Sequence, residues 1–529
     1  MALGSRAASS LGGSSHPWPP PLYATAETAS AIAEAKAVAL MIGGYDGSGN
    51  YGDLVQLDAA AELLEPLAPG LLALPVVERQ YAGSHRMLVE QMLHPPEQVL
   101  FFDAGGQHED DLVPVEPPYR IEFGACYLYG GGYLNGLWGG RKLAMLRAAE
   151  SLLAAGGVER VCRISSGLQA DPDWVEALGG DDGTTLRGLE LHAGRDPRTS
   201  QVLDGLGGAP VLLTGDDAVG VLGRLLVPGP LPTVDGELRV AVHYTDHDWV
   251  TDDASRLLAF YVEMLDELGR TAGATVRIQP LVAYLDHRVD ERPAAGLLAS
   301  ACAERGIEVA EPIVLRPAGL ATAAGEIRRA SLTITCSYHV ALTSLMLGVP
   351  AVSMADNPYY EQKATGLLDG FDLPADFTAR SSEDAAEKAR TIGAMVLDPG
   401  TAADLHHRLA RDARLLHRRR QSIEAELLHR LAAARGGLAD DAGDPAGVDP
   451  LTMAVQRDAD RRILLAERRA RAAERCAGAA EQRARAVELE GAALRAQVSA
   501  LVGSRSWALT APVRRLGALI RGARSTERG

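Results

Sequence analysis

Residues 236–375 alternate between short apolar runs rich in β-branched residues and segments with helical periodicity. An apolar run of about four to eight residues between turn signals is typical of a buried strand, and Ser255–Leu268 places Leu258, Val262 and Leu265 on one face of a helix. Strands that alternate with helices form right-handed crossovers, which build a parallel sheet. The sequence therefore predicts a Rossmann-like α/β domain, with strands at Leu238–Tyr244, Thr275–Leu281, Ile307–Ile313, Leu332–Thr335 and Ala351–Met354.

The preceding part of the chain, residues 37–227, shows the same kind of alternation. Its first apolar run is Ala37–Gly43, and further runs follow at 99–102, 125–129, 161–165, 189–193 and 211–213. The segment Pro228–Pro232 interrupts all periodicity and marks a domain boundary. We therefore expect two Rossmann-like parallel-sheet domains, 37–227 and 236–375, with a cleft between them. Residues 1–36, rich in Ala, Ser, Gly and Pro, are predicted to form a disordered lead-in.

The C-terminal third of the chain has a different character. Residues 376–435 are predicted to be helical and to pack back on the domains, and the linker 436–449 follows. In residues 450–503, small and apolar side chains recur at alternating spacings of four and three, which is typical of a coiled coil. A single helix folded against the body is the alternative. The tail 504–529 is basic and amphipathic, the pattern of a helix at a membrane surface, although pairing with an acidic protein would suit it too.

Charge and cysteine usage exclude several classes of protein. The chain has 52 Lys and Arg against 69 Asp and Glu, so its net charge of −17 argues against non-specific nucleic-acid binding. Its five cysteines are scattered and odd in number, which favours a reducing compartment and gives no zinc site. No uninterrupted apolar run reaches transmembrane length, and the lead-in has no apolar core of a signal peptide. These features predict a cytoplasmic protein.

The stretch Leu332–Lys363 places polar side chains at the end of a predicted strand. Ser337 and His339 stand at the entrance of the helix that follows, and Lys363 lies past the end of the next strand. Ligands of open α/β sheets bind beyond the carboxyl ends of strands, where helix N-termini favour anions. Histidine titrates near neutrality and can move protons there. The alternative is a partly buried histidine with a structural role at a helix start.

Two glycine-rich turns follow predicted strands in the first domain. Gly47, Gly49 and Gly52 form a G-x-G-x-x-G pattern before a helix that Asp53 could cap, which is the context of a dinucleotide-binding fingerprint. The alternative is that these glycines only allow the backbone to make a tight turn. The segment Gly130–Gly132 follows another strand, and glycines there let backbone amides approach a ligand closely.

Taken together, these segments resemble the polysaccharide pyruvyl transferase family. The N-terminal signature of that family, Gly-x-x-Asn-x-Gly-Asp, and its glycine triplet after a strand match the two turns. An arginine–aspartate pair, a serine and a later aspartate match in order, and the C-terminal signature matches except that Ser337 stands in the place of an arginine. The resemblance covers about residues 37–372, and the residues that carry it are Gly47, Asn50, Gly52, Asp53, Gly130, Gly131, Gly132, Arg195, Asp196, Ser200, Asp217, His339, Gly348, Pro350 and Lys363.

The resemblance implies a GT-B-like arrangement of the two domains and a transfer reaction. The donor substrate would be phosphoenolpyruvate, with no cofactor, and the acceptor a glycan or a lipid-linked sugar on which a pyruvate ketal forms. No metal site is expected, because the histidines lack the spacing of metal ligands. His339 would act as acid or base, and Lys363 and Arg195 would hold anionic groups. The remaining substrate-binding residues would be Gly49, Asn50, Gly52, Asp53, Gly131, Gly132 and Ser337.

Two other functions stay open at this point. A GT-B-like glycosyltransferase that uses a nucleotide-sugar would have the same fold and tail. Alternatively, the missing arginine at Ser337 would fit a non-catalytic family member that assembles a glycan complex as a homo-oligomer through its coiled coil. In each case we expect a cytoplasmic protein whose tail contacts the inner face of the membrane.

Overall fold

The structure is a computed structural model that describes residues 22–67, 70–103, 111–116, 119–226 and 236–436. The predicted coiled coil, the basic tail, the proline-rich boundary and nearly all of the linker 436–449 lie outside the described residues. Within the described ranges, no helix is both long enough and apolar enough to cross a bilayer.

The described chain is a mixed α/β protein built on parallel sheets. Its strands are β1 (Leu22–Ala24), β2 (Ala37–Ile42), β3 (Leu72–Glu78), β4 (Leu100–Phe102), β5 (Val113–Pro114), β6 (Phe123–Leu128), β7 (Gly131–Leu134), β8 (Cys162–Ser165), β9 (Leu168–Ala170), β10 (His192–Gly194), β11 (Val211–Leu213), β12 (Glu237–His243), β13 (Thr275–Val282), β14 (Glu308–Val309), β15 (Ile313–Val314), β16 (Leu332–Thr335), β17 (Ala351–Met354) and β18 (Thr378–Ala379).

Helices connect most of these strands. They are α1 (Ala26–Glu34), α2 (Tyr51–Leu64), α3 (Ala82–Leu88), α4 (Gly139–Ala155), α5 (Pro172–Glu176), α6 (Gly180–Arg187), α7 (Pro197–Asp204), α8 (Ala218–Gly223), α9 (Ala254–Ala272), α10 (Arg292–Glu304), α11 (Leu320–Ile327), α12 (Tyr338–Met346), α13 (Pro358–Gly370), α14 (Ala385–Val396) and α15 (Pro399–Gly436).

The first domain contains two sheets where the sequence predicted one. A seven-stranded sheet has the order β5-β1-β4-β3-β2-β6-β8, and a separate four-stranded parallel sheet has the order β11-β10-β9-β7. After β8 the chain turns sharply at Gly167, whose φ of +63° lies in the left-handed region that suits glycine. After this turn β9 joins the second sheet, to which β7 already belongs, and an isolated bridge between Ile164 and Leu191 connects the two sheets.

The lead-in is shorter than predicted, because residues 22–34 form β1 and α1. The strand pairs antiparallel with β4 and β5 at the sheet edge. Thr25 caps α1 by accepting a hydrogen bond from the amide of Thr28, and Ile32 is fully buried. The strand and helix were not predicted, because this segment is rich in small residues and only a few apolar side chains anchor it. Residues 1–21 lie outside the described ranges.

The second domain has one parallel sheet, as the alternation predicted. Its order is β14-β13-β12-β16-β17-β18, with β15 also paired to β13. The strands β12, β16 and β17 are buried along most of their length, which explains their nearly continuous apolar sequences. The run predicted as one strand at Ile307–Ile313 is instead the two short strands β14 and β15.

The two domains share a core and pair through their backbones. Tyr51 and Val55 of α2 are buried among the apolar residues of the second domain. Asn50 forms an antiparallel bridge with Tyr284, and the amide of Tyr51 donates to the carbonyl of Ala283 at 2.8 Å. The guanidinium of Arg316 adds a hydrogen bond of 3.2 Å to the carbonyl of Gly49. The start of α2 is therefore fixed against the second domain.

The long helix α15 also packs on both domains. Leu405 and Leu409 lie in the core of the second domain, whereas Leu427 and Leu431 pack against the first sheet. Between these contacts, the fully buried Arg420 forms an ion pair with the carboxylate of Asp217. The segment 376–435, predicted to be helical, contains α14 and α15, but near its start it also contains β18, which forms an edge of the sheet of the second domain.

Candidate active site

A cavity of about 310 Å³ opens where strands of both domains end. The strands β2, β12, β13, β16 and β17 all point their carboxyl ends towards it, as expected for a ligand site in parallel sheets. The lining residues are Gly44, Asp46, Ser48, Asn50, Asp53, Tyr81, Gly132, Tyr133, Trp138, Lys142, His243, Thr245, Trp249, Val250, Ala283, Tyr284, Glu291, Cys336, Ser337, Tyr338, His339, Tyr359, Tyr360 and Lys363.

His339 stands in the first turn of α12, at the cavity wall. Ser337 is the N-cap of this helix, and its hydroxyl accepts a hydrogen bond of 3.5 Å from the amide of Val340. The imidazole is only 8% exposed, and its Nε2 lies 3.6 Å from Oδ2 of Asp216. This separation exceeds a hydrogen bond, but it allows a strong electrostatic interaction in a buried setting.

Asp216 is held in the charged form by its neighbours. Gln56 donates to both carboxylate oxygens, at 3.0 and 2.8 Å, and the amide of Ala218 donates at 2.9 Å. Burial alone would raise the pKa of Asp216, but the charges of His339 and Arg195 hold it well below its usual range. Asp216 can therefore orient His339 and balance its charge.

The resemblance assigned the later aspartate of the family pattern to Asp217, but the aspartate that faces His339 is Asp216. Asp217 is paired with Arg420, accepts a hydrogen bond from the hydroxyl of Ser166 and holds the amide of Gly130. The two aspartates are adjacent in sequence, so the pattern alone could not show which one points to the histidine.

Arg195 lies behind His339 and does not line the cavity. Its guanidinium is 3.4 Å from Asp216, bonds Gln169 and stacks 3.9 Å from the ring centre of Tyr338. Its side chain is therefore engaged within the protein, and the expectation that Arg195 holds a substrate anion directly is replaced by a supporting position behind Asp216 and Tyr338.

The first glycine turn serves contacts within the protein. Asn50, and not Asp53, caps α2, because its side-chain oxygen accepts from the amide of Gly52 at 3.0 Å. The amide of Gly49 donates to Asp286 at 2.8 Å, so the amides that a dinucleotide pyrophosphate would need are occupied. A methyl group at Gly52 would clash with the imidazole of His339, which explains the glycine at this position.

Asp53 and Asn50 both line the cavity, one helical turn apart. Burial raises the pKa of the Asp53 carboxyl to about 6, and the nearby His339 opposes that shift. A carboxyl group with this pKa can hold or release a proton close to neutral pH.

The second glycine turn begins a strand and does not form an open loop. The amide of Gly130 is bound by Asp217, and that of Gly131 donates to the carbonyl of Gly167. Gly131 has φ +141° and does not line the cavity. Only Gly132 reaches the cavity, where its carbonyl accepts a hydrogen bond of 3.1 Å from the hydroxyl of Tyr359. The glycine triplet therefore allows close packing of the backbone, and the amides of Gly130 and Gly131 are already used within the protein.

Two lysines supply positive charge to the cavity. Lys363, on α13, is half-buried, and its Nζ lies 4.5 Å from the ring centre of Tyr359. Lys142, on α4, is only 3% exposed, and its Nζ has no hydrogen-bond partner among the described residues. Lys142 was not predicted to belong to the site, because a lysine next to Arg141 at the start of a helix is normally a surface residue.

A histidine–glutamate pair forms another part of the wall and was also missed. Nε2 of His243, at the end of β12, lies 3.1 Å from Oε2 of Glu291. Glu291 also accepts from the amides of Ala283 and Tyr284. Burial would raise the pKa of Glu291, but His243 and these amides together lower it. The residues are 48 positions apart, so no local motif joins them.

Aromatic side chains surround the mouth of the cavity. Trp138 packs 5.5 Å from Tyr359, and Trp249 stacks on His247 at 4.1 Å while 44% of its surface stays exposed. Within the described ranges, no cluster of three or more His, Cys, Asp or Glu side chains could hold a metal ion.

Comparison with known families identifies the chain. The fold is that of an α/β protein in which strands of two domains end at one cavity. Residues 50–358 match the model of the polysaccharide pyruvyl transferase family. The chain belongs to that family, as the sequence motifs indicated.

Solved structures with a similar fold are distant. They include a putative UDP-N-acetylglucosamine 2-epimerase from Listeria monocytogenes, with 12% identity and a TM-score of 0.45, covering 78% of this chain and 100% of that one. Another is a UDP-GlcNAc 2-epimerase from Neisseria meningitidis bound to UDP-GlcNAc, with 9% identity, a TM-score of 0.44 and coverage of 74% and 100%. The glycotransferase of kitacinnamycin has 13% identity, a TM-score of 0.42 and coverage of 75% and 99%. Comparison with curated protein sequences gave no significant match.

Proposed function

We propose that the protein transfers a pyruvyl group from phosphoenolpyruvate to two hydroxyls of a sugar in a cell-surface polysaccharide or its precursor. The observation that carries this proposal is the position of His339 beside the anionic Asp216, at a helix N-terminus that opens into a cavity with Lys363. Membership of the polysaccharide pyruvyl transferase family supports the reaction class.

The reaction joins two hydroxyls to one carbon of the donor and releases phosphate. A proton adds to the methylene carbon, which becomes a methyl group, and the first hydroxyl oxygen bonds to the neighbouring carbon. The bond from that carbon to the phosphate oxygen then breaks, and the second hydroxyl oxygen takes its place. The two hydroxyl protons end on the methyl group and on phosphate, so the products are a cyclic ketal and inorganic phosphate.

His339 is suited to move these protons. Its imidazole lines the cavity and is held by close packing against Gly52. When it accepts a hydroxyl proton, the Asp216 carboxylate 3.6 Å away balances the new charge. Asp53, with its pKa of about 6, lies on the same wall and interacts electrostatically with His339. It provides a second group for proton transfer.

The donor anion is expected to bind at the start of α12. The helix dipole and first-turn amides favour negative charge there, and the Lys363 ammonium lines the same cavity. Ser337 occupies the place of the family's arginine and caps this helix. The aromatic mouth around Trp138 and Trp249 would receive the sugar, because such rings combine a flat apolar face with a polar edge.

The proposal extends to the architecture and to the cellular setting. The domain arrangement is proposed to be GT-B-like, since the carboxyl edges of two α/β sheets border one cavity. The protein would work in the cytoplasm without a cofactor. Its tail 504–529 would contact the inner membrane face that carries lipid-linked sugars, and residues 450–503 would pair copies of the chain.

Ligand-dependent melting tests the donor. A ligand at about 100 times its dissociation constant stabilises the folded state by roughly 2.7 kcal/mol. We expect millimolar phosphoenolpyruvate to raise the melting temperature, and UDP- and GDP-sugars to have no effect. Incubation with a suitable glycan should then add about 70 Da per modified sugar, the mass of pyruvic acid less water, with one phosphate released. Stabilisation by a nucleotide-sugar, with no response to phosphoenolpyruvate, would replace this proposal with a glycosyltransferase.

A further inference from the structure

Lys142 is an unusual residue in the cavity because its charge is buried and unpartnered. Its side chain is 3% exposed, and its Nζ has no hydrogen bond among the described residues. The aromatic ring that it faces, that of Tyr133, has its centre 6.0 Å from Nζ. Buried ammonium groups are normally paired, because removing such a charge from water is unfavourable unless a partner compensates.

The carboxylates near Lys142 are not bonded to it. Asp46 and Asp53 lie close enough for the lysine to lower their pKa values, yet burial keeps both pKa values raised overall. Neither carboxylate forms an ion pair with Lys142 within 4.0 Å among the described residues. Lys142 lines the cavity from the first domain, and within the described part of the chain its buried Nζ keeps all three of its N–H donors unused.

We infer that Lys142 binds the carboxylate of the donor, and this assignment rests on the proposed function. Phosphoenolpyruvate carries two anionic groups with different fates. Phosphate must leave, so a half-buried cation such as Lys363 suits it. The carboxylate stays on the product throughout, so a deeply buried cation such as Lys142 suits it, and a charge-assisted hydrogen bond there fixes the reacting carbon.

The competing explanation is that Lys142 only balances the charges of Asp46 and Asp53. In that case the loss of Lys142 would destabilise the unliganded protein and would lower the affinity for all anionic ligands alike. If Lys142 binds the donor carboxylate, its substitution should lower the affinity only for ligands that carry the carboxylate. The melting temperature of the unliganded variant should then be no lower than that of the wild type. These two roles therefore differ in measurable ways.

The test compares phosphoenolpyruvate with vinyl phosphate, which lacks only the carboxylate, by titration calorimetry with competition for weak ligands. In Lys142→Met we expect phosphoenolpyruvate affinity to fall by roughly 10- to 100-fold, the effect of one charge-assisted hydrogen bond, and vinyl phosphate affinity to stay within about twofold. Lys363→Met should weaken both ligands. The matched control is Arg147→Met, which removes the same charge from α4 at a partly exposed ion pair with Asp182.

Each outcome is decisive. If the wild type binds no phosphoenolpyruvate, the proposed function itself fails. If the wild type binds it and Lys142→Met binds it equally well, only the Lys142 assignment fails. The carboxylate role is overturned if Lys142→Met loses affinity for phosphoenolpyruvate and vinyl phosphate equally, or if Arg147→Met loses as much affinity for phosphoenolpyruvate. Lys142→Gln replaces the methionine variant if that variant does not fold.

Discussion

The buried ion pair between Arg420 and Asp217 makes a quantitative prediction about stability. Both side chains are completely buried, and the pair links α15 to the start of α8. Arg420→Met keeps most of the side-chain volume but leaves the Asp217 carboxylate, and that of Glu424 one turn further along α15, without their counter-charge. Removing one partner of a buried pair costs about 3–5 kcal/mol. Because Asp217 keeps its hydrogen bonds from Ser166 and Gly130, we expect the lower end, about 3 kcal/mol.

The double variant Asp217→Asn/Arg420→Met separates the charge effect from lost packing. The single oxygen of an asparagine amide can accept the hydrogen bond from Gly130, and its amide nitrogen can donate to the Ser166 hydroxyl oxygen. The double variant should therefore lose only about 1–2 kcal/mol, which includes the loss of the Arg420 partner of Glu424. Burial already raises the pKa of Asp217, and without Arg420 it should rise further. Stability of the single variant should therefore improve as the pH falls and the carboxyl group takes up a proton.

Urea unfolding of the wild type, both single variants and the double variant between pH 5 and pH 8 measures these differences. The reasoning is refuted if Arg420→Met loses less than about 1 kcal/mol, or if the double variant loses the sum of the two single losses. A loss that does not depend on pH would also contradict it, because the effect would then come from packing.

Four further predictions follow from the site and its surroundings. His339→Ala should lower turnover by roughly 10²- to 10⁴-fold with unchanged circular dichroism, whereas an unfolded variant with normal activity per folded molecule would show a structural role. Gly52→Ala should reduce turnover by pushing the His339 ring aside, while phosphoenolpyruvate binding measured by calorimetry persists; full activity would contradict the clash. Burial raises the pKa of the Asp58 carboxyl to about 7. The stability that protonated Asp58 adds to the folded state is therefore fully present below the unfolded pKa of about 4 and is lost as the pH rises through 7. Asp58→Asn should make the free energy of unfolding less dependent on pH in this range. Deleting residues 504–529 should abolish salt-sensitive sedimentation with anionic liposomes, and equal pelleting of both forms at low salt would exclude the membrane role.

The second domain could be predicted from the sequence because its signals are local. The expected strands Leu332–Thr335 and Ala351–Met354 coincide with β16 and β17, and the strands expected at 238–244 and 275–281 agree with β12 and β13 within one residue at each end. Each is an apolar run bounded by turn residues, and parallel order follows from the helices between them. The local sequence of a strand does not indicate which sheet the strand joins. For that reason the division of the first domain into two sheets was not predicted.

The site was predictable where it depends on helix starts and not where it depends on distant pairs. Ser337, His339 and Lys363 all line the cavity, as their places after predicted strands suggested. Asp216 reaches His339 only because α8 of the first domain packs against α12 of the second. Lys142 had no visible role, since its burial is set by the tertiary fold and not by the pattern of α4.

The fixed contact between the start of α2 and the second domain has a consequence for the order in which the chain can fold during synthesis. The hydroxyl of Tyr51 bonds that of Thr343, 292 positions later in the chain. At about 5–20 residues per second, the ribosome needs roughly 15–60 s to make the intervening segment. For that time the first domain can build its sheets and pack α2 against α8, but Tyr51 and Val55 of α2 lack the apolar residues of the second domain that complete their burial. The cavity between the two domains is thus among the last features of the described chain to be completed on the ribosome, long after the first sheet has left the exit tunnel.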